Sequence, residues 1–421
     1  MNRRQPILLM LAVGLVIIST LTIIPHFIKA RVILDNAATL VAPTDDASAT
    51  ATTAPQPATS APLFDAAAWY QEREEAPETH GVLIESLDGE RTYASLNADV
   101  TFNPASLVKL ATSLLALKRL GAGYRFQTQV MLEGGSSSKG ASKEGRLYVR
   151  GNDPTFGDAG AALISKELKA RGIERLSDIT VSPEFCFNFS NSPEESAGRL
   201  AKALKLGNPK TAVAEDAGGQ PLVTINSNPL SEMLLYMNAR SSNFMAEKIG
   251  ALVGGAPGVR QFLVDELKLP ADYLTISTVS GREHNQMTPR ELLTVIRALV
   301  EEARRQGLEP ADIMPVASDD AGTLRRRLAG TGLEGAVVAK TGTLTAEVDG
   351  GMASLAGIVF TQDQGPVVFA IMDQGNRIWD NRQLEDQLLT DIITRHARPQ
   401  VITGPTPRRL LPSTSVITSD K

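Results

Sequence analysis

The hydrophobic pattern divides the chain into an apolar N-terminal segment, a polar low-complexity segment and a long periodic region. The apolar run Ile7–Ile24 has 18 residues without a charge and follows Arg3 and Arg4. Its length is at the lower limit for a membrane-spanning helix and exceeds a usual signal-peptide core. The residues before Ala30 match a small-x-small cleavage site poorly. Residues 1–30 are therefore expected to be an uncleaved membrane anchor rather than a signal segment that is removed.

The second segment has a composition that disfavours folding. Ala, Thr, Ser and Pro dominate residues 37–62, in which Asp45 and Asp46 are the only charged residues. Such a segment cannot bury enough apolar surface to order itself. Residues 31–62 are predicted to be a disordered linker, and the Pro/Thr/Ser-rich residues 398–421 a flexible tail.

The periodic region between them predicts a mixture of strands and helices. Gly81–Leu87 and Arg91–Leu96 read as strands around Asp88-Gly89, a hairpin signal. A helix is predicted from Pro104 to residue 120, because leucines recur there every three or four residues. Further helices are predicted over 161–172, 229–253 with a break at 240–243, 288–306 and 378–396, and further strands over 146–155, 178–182, 336–340, 352–361 and 367–372. Strands near both ends indicate a sheet assembled from distant parts of the chain.

Composition narrows the chemistry that this region can perform. The net charge is −5 and there is no basic block, so nucleic acid is not an expected partner. The single cysteine, Cys186, excludes an internal disulfide and a cysteine-based metal cage, and is expected to be a packed apolar residue. Setting aside His26 and His396 near the two ends, His80 and His284 offer little for a zinc site or a Ser-His-Asp triad. No metal and no cofactor are expected, and a lysine base fits the residues better.

Ser106 and Lys109 lie at the start of the helix predicted from Pro104. Residues three apart on a helix are neighbours, so the amine can reach the hydroxyl. A serine hydroxyl becomes a nucleophile when a nearby base takes its proton, and a lysine can be that base if burial or a second cation lowers its pKa. The positive field of the helix N-terminus favours developing negative charge at Ser106. The pair therefore predicts a serine nucleophile with a lysine base.

Two further triplets follow in order along the chain. They are Ser241-Ser-Asn243 and Lys340-Thr-Gly342. S-x-x-K and S-x-N are weak when taken singly, since residues 136–139 and 95–97 also match them. Lys-Thr-Gly is rarer and occurs once. The ordered set is that of serine acyl-transferases that bind penicillin.

Longer segments resemble the D-alanyl-D-alanine carboxypeptidase/endopeptidase family, the class C low-molecular-mass penicillin-binding proteins. The matching segments are Asn103–Lys109, Arg150–Thr155, Ser241–Glu247, Met314–Ala317, Gly322–Arg327 and Lys340–Leu344. The resemblance implies an α+β fold: a serine β-lactamase/transpeptidase-like antiparallel sheet flanked by helices, with a small inserted α/β subdomain. It places the penicillin-binding domain at residues 63–135 and 225–397, and the inserted subdomain at 136–224.

The chain departs from the family pattern at three places. Ser242 stands where the family commonly has Asp. The family's Asp-Gly-Ser-Gly-Leu-Ser-Arg corresponds to Thr-Val-Ser-Gly-Arg-Glu-His at 278–284, which keeps Ser280 and Gly281 and alters one wall of the expected site. The spacing of 135 positions between Ser106 and Ser241 implies that the family's long insertion is shortened here.

The resemblance also implies the catalytic roles. Ser106 would attack the carbonyl of the D-Ala-D-Ala bond. Lys109 would be its base, with the ammonium form disfavoured by Lys340. Ser241 would relay a proton to the leaving amine, and Asn243 would hold Lys109 or the substrate amide.

Substrate binding is implied in the same way. The backbone N–H groups of Ser106 and Thr343 would form the oxyanion hole. Lys340, Thr341 and Thr343 would bind the substrate's terminal carboxylate, with Gly342 between them in the substrate-binding strand.

The expected function is that of a serine-type D-Ala-D-Ala carboxypeptidase, which acts on peptidoglycan stem peptides through an acyl-enzyme and is inhibited by β-lactams. DD-endopeptidase activity is left open. A β-lactamase is an alternative, but it needs a deacylating carboxylate that the sequence does not place. A weak or inactive scaffold protein that binds peptidoglycan is another, supported by the altered region at Ser280. The anchor would hold the catalytic domain on the periplasmic side of the inner, cytoplasmic membrane.

Overall fold

The computed structural model describes residues 61–134, 143–402 and 418–420. The predicted anchor lies outside the described residues, as does the predicted linker up to residue 60. Within the described ranges, no helix is long and apolar enough to cross a membrane.

Helices and strands are interspersed along the described chain. The helices are α1 (Ala66–Gln71), α2 (Val108–Leu120), α3 (Asp158–Ala170), α4 (Pro193–Leu204), α5 (Leu230–Arg240), α6 (Asn243–Ala251), α7 (Gly255–Asp265), α8 (Pro289–Arg305) and α9 (Ile378–His396). The strands are β1 (His80–Ser86), β2 (Thr92–Leu96), β3 (Gln127–Gly134), β4 (Lys143–Arg150), β5 (Ile173–Val181), β6 (Lys210–Val213), β7 (Gln220–Asn226), β8 (Val337–Leu344), β9 (Met352–Val359), β10 (Val367–Gln374) and β11 (Thr418–Asp420).

An antiparallel sheet, here called the main sheet, has the strand order β2-β1-β10-β9-β8. The hairpin predicted at Asp88-Gly89 joins β1 to β2, and Gly89 has the positive φ of 81° that such a turn requires. β1 pairs with β10 although nearly 300 residues separate them in the sequence, so the sheet is assembled from distant parts of the chain, as predicted. This order leaves β8, which carries Lys340-Thr-Gly, at one edge of the sheet.

Helices cover both faces of the main sheet. Alternate residues of β10 separate between two hydrophobic clusters, with Val368, Ala370 and Met372 in one and Phe369 and Ile371 in the other. The first cluster includes side chains of α2, α5, α6, α7 and α8, and the second includes side chains of α1 and α9. The main sheet is therefore buried on both faces, and α2 and β8 are fixed relative to each other by a shared core.

A second sheet, here called the insert sheet, has the order β11-β7-β3-β4-β5-β6. β4, β5 and β6 are parallel, with α3 and α4 as the connecting helices, so the predicted α/β character of the insertion is present. The boundary differs from the prediction, because β3 (Gln127–Gly134) pairs with β4 and β7 in this sheet rather than joining the main sheet. The insert sheet begins at Gln127, not at residue 136.

Part of the predicted flexible tail belongs to the fold. Gln400 N–H donates to the Phe360 carbonyl and Ile402 N–H to that of Gly335, both at 2.8 Å. β11 pairs antiparallel with β7. Composition indicated flexibility, but backbone pairing with a sheet edge does not depend on side-chain hydrophobicity.

Candidate active site

The nucleophile lies in a short turn that precedes the regular helix. The sequence predicts a helix from Pro104, but a 3-10 helix covers Ala105–Leu107 and α2 begins at Val108. Ala105 has φ 50°, a left-handed conformation that costs an L-residue roughly 1–2 kcal/mol. Asn103 Oδ1 accepts the Ala105 N–H at 2.9 Å and stabilises the turn. The backbone at Ser106 is therefore set by tertiary contacts as well as by helix propensity.

Two glycines allow other segments to approach this turn. Gly281 has φ 77°, and a Cβ there would lie 2.5 Å from the Ala105 carbonyl carbon and 2.9 Å from the Ser106 nitrogen. A Cβ on Gly342 would lie 2.9 Å from the Pro104 oxygen and 3.0 Å from the Ala105 Cβ. Such distances leave no room for a side chain at either position. The loop before Gly281 and strand β8 thus both pack directly on the nucleophile turn.

Lys109 lies beside the nucleophile, as predicted. Its side chain is fully buried, and Nζ donates to Ser106 Oγ at 2.9 Å. It also donates to Asn243 Oδ1 at 2.8 Å and to the Ser280 carbonyl oxygen. One amine therefore joins the nucleophile, the second motif and the altered wall.

Burial lowers the pKa of Lys109 to about 7, because desolvation disfavours the ammonium form. The Glu247 carboxylate opposes this shift, and the Arg282 guanidinium adds to it. Burial, one of the two causes that the sequence prediction offered, is the main one, and Arg282 is a contributing cation. The repulsion from Lys340, which was the second cause offered, is seen as a lowering of the pKa of Lys340 by Lys109. The lowered pKa makes the neutral amine, which can accept a proton, accessible near pH 7.

The second motif lies at the predicted break between α5 and α6. Ser241 ends α5 in a left-handed conformation, with φ 52° and ψ 40°. The Ser242 side chain accepts the Met245 N–H at 3.3 Å and caps α6. An Asp caps a helix equally well, so the departure at Ser242 preserves a capping position. Asn243 opens α6 and meets Lys109 from there.

Lys340 is fully buried and contacts Ser241. Its Nζ donates to Ser241 Oγ at 2.9 Å and to the Thr341 carbonyl oxygen at 2.5 Å. Burial lowers the pKa of Lys340 well below its usual value, and the charge of Lys109 lowers it further. In this structure the amine contacts the Ser241 hydroxyl. Of the two threonines that follow on β8, Thr341 is buried and Thr343 is partly exposed.

Those threonines have partners that sequence reasoning missed. The hydroxyls of Thr341 and Thr323 lie 2.8 Å apart, and Arg382 Nη2 donates to Thr343 Oγ1 at 2.5 Å. Thr323 belongs to the Gly-Thr-Leu segment, which the family resemblance included without a role. Arg382 comes from α9 and carried no motif signal.

Ser280, in the altered wall, contacts the site through its backbone. Glu247 Oε1 accepts the Ser280 N–H at 3.2 Å, and the Ser280 carbonyl oxygen accepts from Lys109. Because both contacts use main-chain atoms, the changed side chains around Ser280 do not remove them. Glu247 was quoted in the resemblance but received no role from the sequence.

His284 ties the same wall to the nucleophile turn. Its Nδ1 lies 2.8 Å from Asp349 Oδ2, and Asn103 Nδ2 donates to that same oxygen at 2.6 Å. Asn103 in turn holds the backbone of Ala105 through its Oδ1. A histidine thus takes part in positioning the turn rather than in a catalytic triad.

The remaining candidates for metal or thiol chemistry have other roles. Among the residues that the structure describes, no group of three or more His, Cys, Asp or Glu side chains is placed to hold a metal ion. Cys186 is a packed residue, as predicted; burial raises the pKa of its thiol to about 12. His80 is buried against Asp373, with 2.9 Å between Nδ1 and Oδ1.

Comparison with known proteins supports the family that the motifs resemble. A model of the D-Ala-D-Ala carboxypeptidase 3 (S13) family matches residues 66–183 and 191–393. The carboxypeptidase Rv3627c of Mycobacterium tuberculosis is 28% identical over 359 residues, and the match covers 69% of this chain and 75% of that protein.

Several solved structures share the fold. The predatory endopeptidase Bd0816 of Bdellovibrio bacteriovorus has a TM-score of 0.65 at 19% identity, covering 79% of this chain and 97% of that chain. A penicillin G acylated endopeptidase of the same organism, Bd3459, has a TM-score of 0.64 at 21% identity, covering 79% and 96%. Penicillin-binding protein 4 of Haemophilus influenzae has a TM-score of 0.58 at 17% identity, covering 73% and 96%. These similarities confirm the predicted α+β fold class.

Proposed function

We propose, for a chain that belongs to the D-Ala-D-Ala carboxypeptidase 3 (S13) family of serine peptidases, that it hydrolyses the D-Ala-D-Ala bond at the end of peptidoglycan stem peptides. The observation that carries the proposal is the 2.9 Å contact between Ser106 Oγ and a buried Lys109 amine with a pKa of about 7. Acyl transfer through a covalent intermediate needs such an activated hydroxyl. The intact pair also argues against an inactive scaffold.

Acylation begins with neutral Lys109 taking the proton of Ser106. The freed Oγ attacks the carbonyl carbon of the penultimate D-Ala, and the carbonyl oxygen becomes an oxyanion. The N–H groups of Ser106 and Thr343 are the proposed donors to that oxygen. Asn243 fixes the Lys109 amine through its Oδ1 at 2.8 Å, so that the base keeps its direction during the attack.

Departure of the terminal D-Ala requires a proton on its nitrogen. Ser241 is the proposed relay: its hydroxyl, held by Lys340 at 2.9 Å, gives its proton to that nitrogen and takes one from the Lys109 ammonium, which becomes neutral again. The C–N bond then breaks and leaves an ester on Ser106. A water attacks this ester, with Lys109 again as the base, and the free serine is restored.

The terminal carboxylate of the substrate is assigned to the threonine side of β8. Thr341 and Thr343 offer hydroxyls, and Arg382, which already reaches Thr343, supplies the positive charge. Lys340 is fully buried, and its contact in the site is with Ser241. β-Lactams, which acylate the related Bd3459, are the expected inhibitors.

The proposed place of action is the extracytoplasmic side of the cytoplasmic membrane. The apolar run Ile7–Ile24, with Arg3 and Arg4 before it, supports an N-terminal anchor in that orientation. Peptidoglycan stem peptides are found on that side of the membrane, where the tethered domain would meet them.

Labelling with a fluorescent penicillin tests the proposal. The detergent-extracted full chain is expected to be labelled and to release D-alanine from a stem pentapeptide, whereas Ser106→Ala should do neither. Ser136→Ala is the matched control, because Ser136 belongs to the other S-x-x-K match. This variant should be labelled as strongly as the wild type. Labelling of Ser106→Ala would refute the assignment of the nucleophile. Rapid repeated turnover of penicillin would indicate a β-lactamase instead.

A further inference from the structure

A cavity of about 460 Å³ opens beside the threonines of β8. We call it the arginine groove; its lining includes Thr323, Arg325, Arg326, Thr341, Trp379 and Arg382. Its volume lies in the range of small-molecule binding sites, roughly 300–1,000 Å³. The carboxypeptidase reaction described above gives no role to Arg325, Arg326 or Trp379.

The groove keeps an excess of positive charge. Arg327 at its wall is neutralised, since Nη2 lies 2.7 Å from Glu385 Oε2 and 2.7 Å from Asp386 Oδ1. Arg325 and Arg326 are exposed, and in the described part of the chain neither forms an ion pair with a carboxylate. Unpaired cations along a concave surface attract anions and raise their local concentration.

Arg382 connects this charge to the catalytic strand. Its guanidinium lies 4.8 Å from the centre of the Trp379 ring, and Nη2 donates to Thr343 Oγ1 at 2.5 Å. An arginine whose guanidinium is already held by two contacts loses little conformational freedom when it binds a carboxylate. The Trp379 side chain is 74% exposed, which leaves most of its surface free for contact with a ligand.

The position of the groove indicates which part of a substrate would enter it. It begins at Thr341, where the proposed function places the carboxylate of the leaving residue. When the leaving group is a single D-alanine, it ends at that carboxylate and does not extend to Arg325 and Arg326. A leaving group that continues as a peptide with further carboxylates would extend along them.

We propose that the arginine groove binds the anionic leaving strand when the substrate is a pair of cross-linked stem peptides. The inference rests on the proposed function and deepens it, because it assigns a subsite for DD-endopeptidase activity. The same residues perform the chemistry. Ser106 forms an ester with the D-Ala carbonyl, the bond to the side-chain amine of the second stem peptide breaks, and that amine takes the Ser241 proton. Water then hydrolyses the ester.

Charge reversal in the groove tests this inference. The variant Arg325→Glu/Arg326→Glu is compared with Arg304→Glu, which changes an exposed arginine on α8 outside the groove. The full chain of each is assayed on a monomeric stem pentapeptide, on a cross-linked stem-peptide dimer and for acylation by penicillin. The penicillin rate reports whether the catalytic residues remain intact.

The double variant is expected to lose about tenfold or more in kcat/KM for the dimer, while the monomer and penicillin reactions change by less than about threefold. Arg304→Glu should match the wild type on all three. Raising the salt concentration from 50 to 500 mM should lower dimer cleavage by the wild type more than that by the double variant.

Failure of this inference differs from failure of the proposed function. A wild-type chain that neither reacts with penicillin nor releases D-alanine would refute the proposed function itself. A wild-type chain that releases D-alanine but leaves the dimer intact would overturn the groove inference, as would an equal effect of the double variant on both peptides. Unchanged dimer cleavage in the double variant would overturn it too.

Discussion

Replacing Lys109 with arginine separates the charge of this side chain from its use as a base. Lys109 is fully buried and donates to Ser106 Oγ at 2.9 Å and to Asn243 Oδ1 at 2.8 Å. Arginine keeps a cation at this position, but its guanidinium is not deprotonated in proteins. The variant therefore retains positive charge near the nucleophile and loses the group that accepts the serine proton.

The expected loss follows from the role of the base. Removing general-base catalysis commonly costs 10²–10⁴-fold in rate, roughly 3–5 kcal/mol in the activation barrier. The pKa of about 7 for Lys109 adds a pH signature in the wild type. Below that pH the amine becomes protonated, so acylation should fall about tenfold for each pH unit between 6 and 4. Lys109→Arg should have a low rate without this acid limb.

The assay is the rate of acylation by a fluorescent penicillin between pH 4 and 9. Lys118→Arg is the matched control, because it makes the same substitution on the exposed face of the same helix. It should retain the wild-type rate and pH profile. Circular dichroism of each variant checks that a loss of labelling does not come from unfolding.

Two results would refute this reasoning. The first is a Lys109→Arg variant that retains more than about one tenth of the wild-type rate, which general-base loss does not allow. Alternatively, the wild-type rate could stay constant from pH 8 to pH 5. Either result would mean that another group takes the proton of Ser106.

Three further predictions come from contacts around the site, and a fourth from the N-terminal sequence. Glu247→Gln should move the acid limb of acylation to lower pH, because it removes a charge that raises the pKa of Lys109. Arg282→Gln should move it to higher pH, because it removes a charge that lowers that pKa. Equal pH profiles for the two variants would contradict this. Gly342→Ala should lower penicillin acylation by about tenfold or more through overpacking, unlike Gly123→Ala, where a Cβ meets nothing within 4 Å. Lys109→Met should be inactive yet unfold at higher denaturant concentration than the wild type at pH 7, with a smaller difference at pH 9.5. N-terminal sequencing of the membrane-extracted protein should show a retained anchor; a chain beginning near residue 31 would contradict it.

The part of the site that is local in sequence could be predicted from sequence. Ser106 and Lys109 are three residues apart, and a helical turn places them side by side, although tertiary contacts also set the backbone at Ser106. The break that presents Ser241 and Asn243 was visible as an interruption of a helical pattern. The position of Lys340 on a strand could also be predicted, but its contact with Ser241 spans 99 residues and was not predicted.

Some features were missed because they depend on long-range contacts. Others were missed because a local sequence signal was overlooked. Arg382 reaches Thr343 from a helix 39 positions away, and nothing in its local sequence distinguishes it from another surface arginine. Helix α4 was missed although Ser192 caps it by accepting the Glu195 N–H at 3.0 Å, and Ser-x-x-Glu is a known helix-start signal. Strand β3 alternates in burial, but periodicity does not tell which sheet a strand joins.

The low pKa of Lys109 carries a cost in stability that links catalysis to folding. An unfolded lysine has a pKa of about 10.4, so between that value and about 7 the unfolded chain binds more protons than the folded one. Stability is therefore lost as the pH falls through this window, and nearly all of the loss is present at pH 7. A difference of about three pKa units corresponds to roughly 4 kcal/mol. The hydrogen bonds to Ser106 and Asn243 offset part of it, at about 1 kcal/mol each. A methionine avoids the desolvation cost and cannot serve as a base. The fold thus gives up stability at neutral pH in order to hold an uncharged amine beside Ser106.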